Sequence, residues 1–86
     1  MTEIEKKWTR FAYDILVGRK IVNVQYLSKQ DCENMGWDES GIALILDNGD
    51  TVIVQQDDEG NGPGSLFLLR GFEEEIIPTI SVEHVS

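Results

Sequence analysis

The sequence predicts a mainly β protein: an N-terminal α-helix followed by a five-stranded, strongly bent small barrel that assembles into rings. Three observations carry this reading. A single apolar helical stripe opens the chain. Two later runs, Ile42–Leu46 and Ser65–Leu69, are apolar at nearly every position, as in strands covered on both faces. An Asn-Gly pair separates apolar runs at Asn48-Gly49, a strong hairpin signal.

The helix is expected over residues 3–17. Thr2 and Glu5 form a T-x-x-E capping box, and Ile4, Trp8, Phe11, Ala12, Ile15 and Leu16 recur at helical spacing. Glu3, Lys6, Lys7, Arg10 and Asp14 fall on the wet side, and Gly18 stands where a helix stops. Strands are expected at about 19–27, 41–47, 50–56, 64–70 and 76–85, from β-branched content and alternation. Between the first two, Ser28 and Asp31 can cap a short helical turn ending at Gly36, after which Trp37 folds back as an anchor. Asp57 to Gly64 reads as a long loop. With no repeat or linker, residues 1–86 make one domain.

Two strands apolar on both faces are too many for a one-sided sheet. A bent barrel accounts for them if one face fills the barrel and the other is covered by the helix or a neighbour. Such a barrel leaves strand edges open, and ring assembly would hide them. An 86-residue chain buries only about 60–65% of its unfolded surface, so assembly also enlarges a thin core.

Charge is unevenly placed. Residues 1–30 carry six basic against three acidic residues, a balance of +3, and residues 31–86 carry one basic against thirteen acidic, a balance of −12. Such a chain is no general nucleic-acid binder, because phosphate binding depends on clustered Lys and Arg. The acidic half serves solubility or meets a basic partner. No apolar run reaches the ~18 residues a membrane span needs. No signal-peptide pattern opens the chain, and one cysteine, Cys32, makes no internal disulfide, so a cytoplasmic location is expected, that of a host cell if a phage encodes the protein.

No catalytic signature is present, and no enzyme activity or cofactor is expected. Cys32 and His84 are single copies without a motif. Asp57-Asp58-Glu59-Gly60-Asn61 lacks the EF-hand alternation and reads as a solvated turn sooner than as a Ca²⁺ or Mg²⁺ site. Glu73-Glu74-Glu75 reads as a charged loop, and Gly60–Gly64 lacks the Lys and following helix of a phosphate-binding loop. Asn48 and Arg70 stand out. An amide can read a base edge, and a guanidinium can stack on a base or hold phosphate. The plainer alternative also stands: Asn48 serves a type I′ turn, and Arg70 is a surface charge.

The order of one helix and five strands resembles the Sm-like proteins. Gly18-Arg19-Lys20-Ile21-Val22-Asn23-Val24 resembles the opening strand of the first Sm motif, Leu46-Asp47-Asn48 its base-reading loop, and Phe67-Leu68-Leu69-Arg70-Gly71 the second motif. The chain also resembles small cyanophage-like proteins of marine phage and metagenomic sequences, through Gly18–Val22, Gly36-Trp37, Leu46–Gly49 and Asp57–Asn61. The resemblance implies a homo-oligomeric ring, a pentamer in preference to a hexamer or heptamer. Asn48 and Arg70 would line its pore, and Lys6, Lys7 and Arg10 would form a positive rim for single-stranded RNA or DNA, with a role in RNA or DNA processing. The rival expectation is an acidic, phage-type interaction factor that binds a basic host protein.

Overall fold

The computed structural model describes residues 2–70 and 72–85, with the backbone alone for Leu69. Helix α1 spans Glu3–Leu16. It begins because Thr2 Oγ1 accepts from the Glu5 N–H at 3.1 Å while Glu5 Oε1 accepts from the Thr2 N–H at 3.3 Å, the reciprocal capping box. Val17 turns extended, and Gly18 follows with φ +84°, a left-handed conformation suited to glycine.

Among the described residues seven short strands follow: β1 (Ile21–Tyr26), β2 (Glu39–Ser40), β3 (Ile42–Leu46), β4 (Thr51–Ile53), β5 (Leu66–Arg70), β6 (Glu73–Ile77) and β7 (Ile80–Ser81). Helix α2 (Lys29–Met35) lies between β1 and β2, and a 3₁₀ turn, Val82–His84, follows β7. All pairing is antiparallel, in three sheets: β1-β3-β4, β2-β7 and the β5-β6 hairpin. The expected single five-stranded, strongly bent barrel is replaced by three small sheets, and no closed barrel is formed among the described residues. The strand expected over 76–85 is divided, because Pro78 has no N–H to give a ladder and separates β6 from β7, and Glu73-Glu74-Glu75, expected as a charged loop, is strand instead, paired with Leu68 to Arg70. The strand expected over 50–56 is regular only to Ile53, beyond which it continues as the isolated Gln55–Pro63 bridge.

α2 arises as its caps dictate. Ser28 Oγ accepts from the Asp31 N–H at 3.1 Å, and Gly36 closes the helix with φ +72°. The helix thereby brings Cys32 and Trp37 into the core with Leu27 and Ala43, against partly buried Ile53 and Val82. Ser40, fully buried, donates to the Leu27 carbonyl at 2.8 Å, so its hydroxyl is satisfied. Trp37 is 5% exposed and donates from Nε1 to the Gly60 carbonyl at 2.7 Å, tying the 57–61 loop to the core.

The core therefore sits beneath the 28–40 segment, not beneath α1. No residue of α1 is buried; Ile4, Trp8 and Phe11 are all more than half exposed. The hairpin is equally open. On one face Leu66 pairs with Ile77, on the other Phe67 pairs with Ile76, and Phe67, Leu68 and Ile76 are exposed. The apolar stripe and the two-faced strand are where the pattern places them, but this chain alone does not cover them. Among the described residues, no helix is long and apolar enough to cross a membrane.

Candidate nucleic-acid interface

Asn48 sits in the β3–β4 turn. The turn is closed by the Gly49 N–H on the Leu46 carbonyl at 3.0 Å and by the Leu46 N–H on the Asp50 carbonyl at 2.8 Å. Gly49 has φ +90°, and no described non-glycine residue has positive φ. A type I′ turn requires positive φ at both central residues, so the expected I′ turn is replaced by one with a single left-handed glycine. The Asn48 amide serves this turn at both ends. Its Oδ1 accepts from the Asp50 N–H, and its Nδ2 donates to Asp50 Oδ2, each at 3.0 Å. A base edge would have to displace these bonds.

Arg70 ends β5 and is paired across the hairpin with Glu75 at 2.5 Å. Gly71, the last residue of the second Sm-like motif, lies outside the described residues. No hydrogen bond or ion pair joins Asn48 to Arg70 among the described residues. On α1, Lys6 lies 3.6 Å from Glu3, and Arg10 Nε donates to both Asp14 oxygens at 3.1 and 3.2 Å. Lys7 instead stands 5.2 Å from the Trp8 ring centre, and Trp8 meets Phe11 edge-on with centroids 5.8 Å apart. A cation beside an open aromatic ring is the chemistry that takes a stacked base.

Two further residues belong to this surface. Arg19 reaches Asp47 at 3.5 Å, and the Asp47 N–H donates to the Lys20 carbonyl at 2.8 Å, so the residues before β1 lie beside the Asn48 turn. The pairing of Ile21 with Leu46 places them there. The signal was present in the sequence, since both first-motif segments carry these residues, but which charges flank Asn48 depends on strand register.

The remaining candidates do not converge. Cys32 is a core residue whose thiol lies 3.9 Å from the Leu27 carbonyl and 3.8 Å from that of Glu39. His84 lines an open cleft with Gln25, Tyr26 and Ser28. Among the described residues, no three His, Cys, Asp or Glu side chains are grouped to hold a metal ion. Asp57 is committed within its own loop: Oδ2 accepts from Asn61 Nδ2 at 2.8 Å, and Oδ1 accepts from the Glu59 and Asn61 N–H groups at 3.0 and 3.2 Å. These bonds, the Asn61 side chain first, hold its carboxyl below the usual carboxylate value.

The structure thus defines a class: a small protein of one exposed N-terminal helix and short antiparallel sheets, with ion-paired basic residues on its surface. A scan of family models and searches of curated proteins and of solved structures found no match to this chain.

Proposed function

We propose that this chain is the protomer of a homo-oligomeric, Sm-like ring, a non-catalytic binding module that contacts single-stranded RNA or DNA in its processing. The observation that carries the reading is uncovered surface. The chain exposes 6662 Å², whereas a compact monomer of 9.7 kDa exposes about 5,100 Å². The excess, roughly 1,500 Å², is the size of one partner's share of an obligate interface. The Cα radius of gyration, 14.6 Å, likewise exceeds the ~12 Å of a compact chain of this length.

Within such a ring, Lys7 beside Trp8 and Arg19 with Lys20 beside Asn48 would recur once per subunit. Repetition turns a few cations on an acidic chain into a patch, with five copies favoured. The ion pairs do not forbid phosphate: exposed pairs are worth about 0–1 kcal/mol and exchange for a better anion. Light scattering on the native protein, then fluorescence anisotropy with single-stranded oligonucleotides, tests this. A discrete ring whose binding weakens steeply between about 50 and 200 mM salt is expected. A ring that binds no oligonucleotide at low salt sinks the nucleic-acid role.

A second reading has its own observation. Four of the seven basic residues, Lys6, Arg10, Arg19 and Arg70, pair with a carboxylate, whereas twelve of the sixteen acidic residues, Asp58, Glu73 and Glu74 among them, have no ion pair among the described residues. That balance suits an acidic factor that docks on a basic host protein. It predicts capture of basic protein segments that Asp58→Lys with Glu73→Lys and Glu74→Lys abolishes, without oligonucleotide binding.

A further inference from the structure

We propose that Phe72, at the tip of the β5–β6 hairpin, seats in the apolar cleft between α1 and β4 of a second copy of this chain, head to tail. The proposal rests on the homo-oligomer reading above and names its contact. Phe72 is wholly exposed, at 107% of its reference area. An isolated two-stranded hairpin is marginal in water, and this one is apolar on both faces at its base. An exposed phenyl ring on such a hairpin has the form of an interface anchor, since aromatic anchors carry much of an interface's energy.

The receiving site is a cleft of about 360 Å³ lined by Phe11, Ala12, Ile15 and Leu16 of α1 and by Thr51 to Ile53 of β4. It has room for one phenyl ring, and its walls are predominantly apolar. A second copy is favoured over an unrelated partner because the same chain supplies both halves, ring and cleft, and the excess exposed area is the size of one partner's share of an obligate interface. A contact in which each copy gives a hairpin and receives one is heterologous, and it forms a ring where the rotation from copy to copy closes.

The test is a disulfide trap. Chains carrying Phe72→Cys with Ala12→Cys, both exposed positions, are oxidised in the native assembly and run under denaturing, non-reducing conditions. The buried Cys32 provides the single-cysteine control. The expected result is a ladder of covalent oligomers, absent from either single substitution with Cys32 present. Phe72→Glu is expected to reduce the native mass to one chain while leaving the circular dichroism spectrum unchanged, and Phe72→Leu to keep the assembly. A native oligomer that gives no ladder and survives Phe72→Glu overturns this contact and leaves the ring reading standing. A single-chain native mass, with the disulfide formed within one chain, overturns both.

Discussion

Arg70 and Glu75 are joined across the β5–β6 hairpin, with Arg70 Nη2 donating to Glu75 Oε1 at 2.5 Å. Arg70 lies directly opposite Glu73 in the ladder, so Glu75, opposite Leu68, is its diagonal neighbour on the same face. The side chains are 60% and 47% exposed, so the pair adds little to stability, about 0.2–1 kcal/mol.

Its consequence is for binding. Glu75→Gln releases the guanidinium and removes a negative charge beside it. If Arg70 contacts phosphate, this variant binds single-stranded oligonucleotide more tightly than the wild type, and Arg70→Ala binds more weakly with a shallower salt dependence. Anisotropy titrations at several salt concentrations check both. Equal affinities across the three proteins would remove Arg70 from the interface.

Trp37 carries the core, and its replacement should show this directly. Trp37→Phe keeps most of the ring but strips the donor from the Gly60 carbonyl, for an expected loss of about 1–3 kcal/mol. Trp37→Ala costs about 3–5 kcal/mol, a large share of the stability of a domain this small, which is on the order of 4–13 kcal/mol. Urea midpoints measure the first loss. The second variant is expected to move the urea midpoint further down than the first.

Gly64 is held by crowding. A Cβ there would lie 2.9 Å from Val54 Cγ1 and 3.0 Å from the Gln55 carbonyl oxygen, and the second of these is backbone that cannot swing away. Gly64→Ala is therefore expected to destabilise by about 1–3 kcal/mol. Its close approach also carries the 2.6 Å bond from the Gly64 N–H to the Val54 carbonyl, which continues β4 toward the Gln55–Pro63 bridge. A urea midpoint equal to that of the wild type would show that the loop yields.

Local structure was legible in the sequence wherever one or two residues decide it. Thr2 with Glu5, Ser28 with Gly36, and Gly49 each set a helix end or a turn through a bond to the backbone three or four residues away. What was not legible depends on partners distant in sequence. The stripe Ile4, Trp8, Phe11, Ile15 states that α1 will cover something apolar, but periodicity does not say whether its own chain or another supplies it. The same holds for Phe67 and Ile76. At the candidate site, residue types suggested Asn48 and Arg70, but not that Asp50 and Glu75 occupy them, because local turn geometry and cross-strand register choose those neighbours.

Asp57 makes the 57–61 loop sensitive to acid. Its folded pKa is lowered, chiefly by the Asn61 side chain, so folding favours the ionised carboxylate. The unfolded state then holds the proton more tightly, and stability rises with pH in the window between the two values. The contribution is fully present above the unfolded value, near 3.9, and is lost as pH falls through the folded one. Neutral pH is thus on the plateau, and the loop is expected to loosen only in acid. Asn61→Ala removes the bond from Nδ2 and should move the Asp57 titration back up toward its ordinary value, read from the side-chain carboxyl carbon by NMR. Asn61→Asp should raise it further, since a second carboxylate beside the first disfavours ionisation of both. An Asp57 titration that stays in place in both variants would show that the backbone N–H groups of Glu59 and Asn61 alone set its acidity.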